Sequence, residues 1–369
     1  MTVIFGIILG NYCLFVLILI IGWLRMERQA VPGMGREKSG ISVIIACRNE
    51  SANIEACIGS LSQLQYPVEQ FEVIFVDDHS TDDTSAKIKS GIKSFSNFSL
   101  TTADVEAQGK KRALQKGIAD ARHACIVTTD ADCQVPADWL SYFSLFLENQ
   151  KTQLILGGVR IEKNHSLFGR LQRMEFSSLI GFAASALGWG RAALGNGANI
   201  GFRKSAFAEV NGYDGNLHIA SGDDEFLIRK ISSKFPGGIA FMNFSESWVS
   251  TRPMSSVKNF LHQRLRWAGK WKYSKDFMTR VVAVYILIVQ LAFAILLIQT
   301  FRNPDVMVTL VAMKIMLEAF YFFNINRFQR IKFDALAFLL LQIIYPLYVV
   351  VTGLLSLTGS FRWKDRNYK

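Results

Sequence analysis

Three pairs of carboxylates stand where a strand-forming or turn-forming run ends. Asp77 and Asp78 close VIFVDD, Asp130 and Asp132 close ACIVTTDADC as a D-x-D triplet, and Asp223 and Asp224 lie in SGDDEFLIRK. An acid at a strand tip can also cap the following helix, and that reading suits Asp82 and Asp83. A D-x-D triplet is common by chance. After an apolar strand it is more telling, because both carboxylates can then reach one hard divalent cation. Mg2+ and Mn2+ take oxygen ligands, often one or two carboxylates together with substrate phosphates. A group of opposite sign lies at 259–275, NFLHQRLRWAGKWKYSK, just before an apolar run. A basic amphipathic helix on a membrane surface accounts for it, and so does a site that grips phosphate beside a bilayer.

The elements that must position these groups read as alternating strands and helices. ISVIIAC (41–47), FEVIFVDD (71–78) and ACIVTTDADC (124–133) are short apolar runs of buried parallel-strand type. NIEACIGSLSQL reads as a helix opened by Asn49 or Ser51, and a second helix is expected around 111–121. Strand, helix, strand with acids at the strand C-ends predicts a doubly wound α/β sheet, which binds ligands outside those ends. The first strand lacks a G-x-G-x-x-G turn, which argues against a dinucleotide-binding dehydrogenase.

Half of the 369 residues are apolar, and the formal net charge is +11. Residues 1–24 carry no charged side chain and are long enough to span a bilayer. With no basic start or A-x-A-like exit, and with WLRMER following, they read as a retained anchor and not a cleaved signal. The runs 281–301, 305–324 and 333–357 are further apolar candidates. Within 305–324, Lys314 and Glu318 are i,i+4 neighbours. They read as a structural pair between helices, with a part in an acceptor path the weaker alternative. Basic flanks put the region between the first two spans in the cytoplasm. NRFQRIK (326–332) and the tail FRWKDRNYK are basic too, and both cannot be cytoplasmic if 333–357 crosses once. A re-entrant or broken helix at Pro346 would remove that conflict. A transporter would need many more spans. The five cysteines form no CxxC and no zinc set, and no motif supports nucleic-acid binding.

Taken in order, VIIACRNES, VIFVDDHSTDDT, GKKRALQKGI, TTDADC, GNGANIGFRKSAF, GDDEF and QRLRW resemble a membrane-bound family 2 glycosyltransferase with a GT-A fold. That family includes cellulose, chitin and hyaluronan synthases and ceramide glucosyltransferase. The resemblance implies a GT-A nucleotide-diphospho-sugar transferase domain with a doubly wound mixed sheet. It adds one N-terminal and about three C-terminal membrane helices plus amphipathic interface helices. The expected layout is an anchor at 1–24, a catalytic domain at 38–253 that includes an interface helix at 168–190, and a QxxRW helix at 254–278. Transmembrane segments at 279–358 and a basic tail at 359–369 complete it.

By the same resemblance, Arg48, Asn49 and Glu50 line the nucleoside pocket, Asp77 or Asp78 accepts from the base, and Lys110 lies near base and phosphates. Asp130 and Asp132 hold the divalent cation, with Asp132 the direct ligand. Asp224 is the catalytic base and Asp223 its supporting acid, where the family more often has Glu; Glu225 is a weaker candidate base. GNGANIGFRK is the Gly-rich segment over the donor sugar, a plain hairpin being the structural alternative. Gln263 and Arg266 bind the diphosphate, and Trp267 forms the floor for the acceptor. Arg264, Lys270 and Lys272 are expected to face lipid head groups, with Trp271 as an interfacial anchor. Trp363 and Arg366 loosely match a gating motif of hyaluronan synthases.

The expected activity is inverting transfer from a nucleotide sugar, a UDP-sugar above all, to a membrane-embedded lipid acceptor. The expected location is the cytoplasmic face of the bacterial inner membrane. The partners implied are the donor, a lipid or growing-glycan acceptor and membrane lipids. A processive polysaccharide synthase is the alternative; four spanning candidates are few for a self-contained channel. A non-catalytic membrane protein is a third class, weakened by the presence of Asp130, Asp132 and Asp224.

Overall fold

The computed structural model describes residues 2–28, 38–104, 108–192, 194–217, 219, 222–269, 277–300, 304–358, 361–363 and 366–368. The chain forms two compact units. Met26–Glu162 with Gly190–Arg252 make one, and Met1–Arg25, Lys163–Trp189 and Pro253–Lys369 make the other. The strands are β1 (Ile41–Cys47), β2 (Phe71–Asp77), β3 (Phe98–Thr102), β4 (Cys125–Thr128), β5 (Cys133–Gln134), β6 (Leu154–Leu156), β7 (Val159–Ile161), β8 (Ile200–Arg203), β9 (Ile239–Phe241), β10 (Val249–Thr251), β11 (Phe361–Trp363) and β12 (Arg366–Tyr368). The helices are α1 (Thr2–Glu27), α2 (Ile54–Leu61), α3 (Thr84–Gly91), α4 (Lys110–Asp120), α5 (Trp139–Leu147), α6 (Leu167–Gly188), α7 (Lys204–Glu209), α8 (Asp223–Lys234), α9 (Val257–Gly269), α10 (Phe277–Thr300), α11 (Pro304–Phe328) and α12 (Ala335–Thr358).

In the first unit, seven strands order as β3-β2-β1-β4-β8-β6-β9. The first four are parallel, and β8 runs antiparallel to both β4 and β6. The sheet is therefore mixed. ISVIIAC and FEVIFVD are buried along almost their whole length, as strands covered on both faces must be. Their register pairs Cys47 with Asp77 and Asp77 with Thr102, so β1, β2 and β3 end at one edge. A second sheet, β5-β10-β7, was not legible in the sequence. Between the sheets lies Asn199, fully buried, which accepts from Trp139 Nε1 at 3.0 Å and donates to the carbonyls of Gly158 and Ser247 at 2.7 and 3.2 Å. The helix cap expected at Asn49 or Ser51 falls instead at Asn53, whose side chain makes no cap hydrogen bond. Asn49 adopts φ +49°, and its Oδ1 accepts from Thr81 N at 2.9 Å, so it braces a turn.

In the second unit, α1, α10, α11 and α12 are long and apolar enough to cross a membrane. α1 and α6 cross closely enough that a Cβ on Gly188 would fall 1.9 Å from the Gly22 carbonyl oxygen. Close approach of this kind suits helix pairs that lack a hydrophobic driving force between them. Lys314 Nζ contacts Glu318 at 2.9 Å and Gln342 at 2.8 Å, and Tyr12 donates to Glu318. The four buried side chains thus join α1, α11 and α12 in a mutually satisfied network. α12 is one helix continuous through Pro346, so no break forms there. Its Tyr348 ring lies 5.7 Å from that of Phe260 on α9, and β11 packs beside α9 as well.

α9 also meets α6. Phe168 and Phe260 contact edge to face at 5.7 Å, and the Gln172 side-chain amide bonds both the N–H and the carbonyl of Met254. Arg264 overturns the expectation of a head-group contact: it is 5% exposed and forms a forked ion pair with Glu175. A buried guanidinium requires such a partner. Lys270, Trp271 and Lys272 lie outside the described residues.

Replacing Asn199 with Ala strands the Trp139 indole N–H and two carbonyls in the core. A loss of about 2–4 kcal/mol is expected, read as a lowered unfolding midpoint of the purified protein. An unchanged midpoint would remove Asn199 from its structural role.

Candidate active site

At the C-terminal edge of the parallel strands, the first segment to turn is β2. Asp77 Oδ1 accepts from Ser80 N at 3.1 Å and Ser80 Oγ at 2.5 Å, and its Oδ2 accepts from Ser85 Oγ at 2.6 Å. This carboxylate shapes the turn that carries His79 at φ +57°. Asp78 reaches the other way and accepts from Gly109 N at 2.9 Å, directly before α4. Arg48 Nη1 donates to the carbonyls of Asp78 and His79 at 2.5 and 2.8 Å, tying β1 to β2. Glu50 accepts from Asn53 at 2.9 Å, and its N–H donates to Thr84 Oγ1 at 2.8 Å. Asp82 accepts from Thr84 N and Ser51 N at 3.0 and 3.1 Å, as a residue that fixes a helix start does. Burial pushes its carboxyl up, but the bonds from Thr84 and Ser51 outweigh that and hold it below the usual carboxylate range.

Lys110 is the hub. Its ammonium lies 2.7 Å from Asp130 Oδ1 and 3.0 Å from Asp223 Oδ2. Two lysines opening a helix are unfavourable toward its dipole. Both are bound elsewhere: Lys110 to these carboxylates, and Lys111, 4% exposed, to the carbonyls of Asn216 and Ile219 at 2.8 and 2.9 Å. Burial disfavours the Lys110 ammonium, yet Asp130 and Asp223 outweigh it and hold its pKa well above the lysine range. Burial also raises Asp223, and the adjacent Lys110 more than reverses that, leaving its carboxyl below the usual value.

α8 opens after Gly222, which takes φ +79°, and puts Asp223, Asp224 and Glu225 in its first turn, where the dipole favours anions. Asp224 Oδ1 accepts from Glu225 N at 2.7 Å, and its Oδ2 accepts from Gly197 N at 3.3 Å. Glu225 is buried and paired with Arg229, so it is the poorer candidate base. The GNGAN segment is no hairpin: it forms a short 3-10 turn at 197–199 that leads into β8. Thr128 Oγ1 at the end of β4 donates to the Gly197 carbonyl at 2.7 Å. A Cβ on Gly197 would stand 2.9 Å from Asp223 Oδ2 and 3.5 Å from Lys110 Nζ, so glycine permits the approach.

Asp130, Asp132 and Cys133 offer ligand atoms within 4.8 Å of one another. Burial, with Asp132 and Asp130 nearby, pushes the Cys133 thiol well up, and its Sγ donates to Asp132 Oδ1 at 3.4 Å. A neutral thiol is a poor partner for a hard cation, so the two carboxylates are the donor set that fits Mg2+ or Mn2+. The fold therefore gathers Lys110, Asp130, Asp132, Asp223 and Asp224 at one edge of the first unit. Gln263, Arg266 and Trp267 belong to α9 of the second unit. Thr128 and Lys111 escaped notice in the sequence, because a lone Thr or a second Lys in a pair carries no spacing signal.

Residues 42–210 match the family model described as Glycosyl transferase family 2. The chain carries a glycosyl transferase family 2 domain. Among its relatives, a poly-β-1,6-N-acetyl-D-glucosamine synthase of Staphylococcus epidermidis is 27% identical over 260 residues, 68% of this chain and 61% of the relative. A synthase of the same description from Staphylococcus aureus is 32% identical over 184 residues, 49% of this chain and 43% of the relative. The chain thus spans less than two thirds of the length of these relatives. A mannosyltransferase from Pyrobaculum calidifontis, solved with GDP-Man and Mn2+, superposes with a TM-score of 0.55 at 14% identity, covering 97% of this chain and 99% of that one. That likeness establishes a GT-A-type mixed sheet. The family 2 match takes in Lys110, Asp130, Asp132 and the GNGAN turn, whereas Asp223 and Asp224 lie beyond it.

Replacing Lys110 with Met leaves Asp130 and Asp223 facing each other without a cation. The stability from the depressed Asp223 is present above the unfolded carboxylate pKa, about 3.9, and is lost as pH falls through its folded value. In the variant the Asp223 pKa rises, held down only by Lys111 and a backbone N–H, so the stability lost on acidification should shrink and the gap to wild type should narrow as pH falls. A gap that stays constant across a pH series of melting curves would show that Lys110 does not set that charge.

Proposed function

We propose that the chain is a membrane-associated inverting glycosyltransferase that uses a nucleotide-sugar donor and extends a glycan. The observation that carries the reading is the Lys110 bridge to Asp130 and Asp223 beside Asp224, built around a family 2 domain. The lipid acceptor favoured by the sequence gives way to the processive alternative, because the relatives are polysaccharide synthases. Their product makes a nucleotide-activated N-acetylhexosamine the first donor to test.

In the proposed reaction, an acceptor hydroxyl attacks the anomeric carbon from the face opposite the leaving group. The bond from that carbon to the diphosphate oxygen breaks, the nucleoside diphosphate departs with the electron pair, and Asp224 takes the hydroxyl proton. Asp224 suits that role because the backbone N–H groups of Gly197 and Glu225 orient its carboxylate. Asp223 and Lys110 keep the neighbouring charge balanced. Asp130 and Asp132 would hold Mg2+ or Mn2+, which when bound neutralises charge on the diphosphate. Arg48, Glu50 and the Asp77–Asp78 turn are assigned to the nucleoside side. To α9 the proposal assigns Gln263 and Arg266 for diphosphate and Trp267 for acceptor.

The catalytic region is assigned to the cytoplasmic face. The contact of β11 with α9 supports a C-terminus on that same face.

Asp224→Asn should lower sugar transfer by about 10³-fold or more while nucleotide-sugar binding changes little, and Asp132→Ala should weaken metal-dependent donor binding. Radiolabelled donor with chromatography of the products checks both; normal turnover by either variant would overturn that residue's role. The same assay separates acceptors, since label in a high-molecular-weight polymer supports the synthase and label confined to a lipid of one or two sugars restores the lipid reading. For topology, a green fluorescent protein fused after Lys369 should fluoresce, and a periplasmic alkaline phosphatase fused there should be inactive. The reverse pattern would place the C-terminus on the opposite face.

A further inference from the structure

Arg264 touches the motif residues on both sides of it. Its Nε and Nη2 form a fork on the Glu175 carboxylate at 3.0 and 2.5 Å, and its Nη1 donates to Gln263 Oε1 at 2.5 Å. The guanidinium carbon lies 4.3 Å from the Trp267 ring centroid and 4.5 Å from that of Phe260. The Trp267 ring also lies 6.1 Å from Phe176, one residue after Glu175. Arg264 and Glu175 are 5% and 6% exposed at their side chains.

These contacts restrict what the motif can present. A guanidinium only donates, so Gln263 must turn its carbonyl oxygen to Arg264, and its NH2 becomes the end left to meet another acceptor. Phosphate oxygens are such acceptors. The Trp267 ring is held between a cation on one neighbour and an aromatic on another, which fixes the plane it offers. Three of the guanidinium nitrogens are engaged, two by Glu175 and one by Gln263. Lysine cannot reproduce that fork, because its ammonium is a single point donor.

We propose that Arg264 and Glu175 are positioning residues that set the orientation of Gln263 and Trp267. The inference rests on the transferase reading for its activity readout, but its structural readout stands without it. Arg264 fills one of the two unspecified places in Q-x-x-R-W, so its effect is exerted through the motif residues and not on substrate.

The test uses the full-length protein in lipid nanodiscs, labelled with fluorotryptophan, with Trp267→Phe identifying the Trp267 resonance. Arg264→Lys should shift or broaden that resonance and leave the other indoles unmoved. An unmoved Trp267 resonance overturns the proposal whatever the activity, and simultaneous broadening of every indole overturns it in favour of a general structural role. Where wild type transfers sugar, Arg264→Lys and Glu175→Gln should each lower kcat about tenfold, with KM for the donor changed less. In a Gln263→Ala, Trp267→Phe background, Arg264→Lys should add less than about twofold, because its targets are gone. Full additivity would overturn the proposal. Absence of transfer by wild type with every donor would instead bear on the transferase reading, leaving the resonance to decide this one.

Discussion

Lys110 must reach Asp130 and Asp223 at once, and that requirement ties together segments far apart in the chain. Asp130 follows β4, Asp223 opens α8, and Lys110 opens α4 after Gly109 takes φ +119°. Acids gathered at one edge would repel without a cation between them. With the ammonium in place, Asp223 stays charged despite burial, and Gly197 can bring its backbone against the same cluster. Any cation held by Asp130 and Asp132 would share this field with Lys110, so the strength of that site depends on the lysine as well as on its own ligands.

A second balance of charge governs the other unit. Arg264 against Glu175, and Lys314 against Glu318 with Gln342 and Tyr12, are buried ions whose hydrogen-bonding groups are met by neighbouring helices. Removing one partner from such a set is far more disruptive than its net contribution suggests, because the other charge is left without compensation. The two networks differ in reach. Lys314 joins three long helices, whereas Arg264 ties α9 to α6 and engages the motif residues beside it.

The relatives shift the balance between two functions of one chemistry. Transfer to a lipid and growth of a polymer need the same donor, base and leaving group. They differ in whether the product stays bound to accept again. The identity shared with polysaccharide synthases bears on that question, while the GT-A likeness to a mannosyltransferase bears on the sheet alone.

The sequence by itself determined the local features. The apolar runs named β1, β2 and β4, the charge-poor stretches named the long helices, and the acids at strand ends marked the edge where Lys110 pairs with Asp130. These depend on periodicity and hydropathy, which neighbouring residues carry. Only the tertiary structure decided that Asp77 is engaged by its own turn, that Asn53 and not Asn49 precedes α2, and that Glu225 is paired with Arg229. It alone assigned Arg264 to Glu175, because the two are 89 positions apart and nothing in QRLRW tells a buried arginine from one facing lipid. The short strands β5, β7 and β10 were likewise illegible, since two or three residues hold no pattern until another strand pairs with them. A side chain's partner is fixed by packing over long separations, and that information is spread across the whole chain.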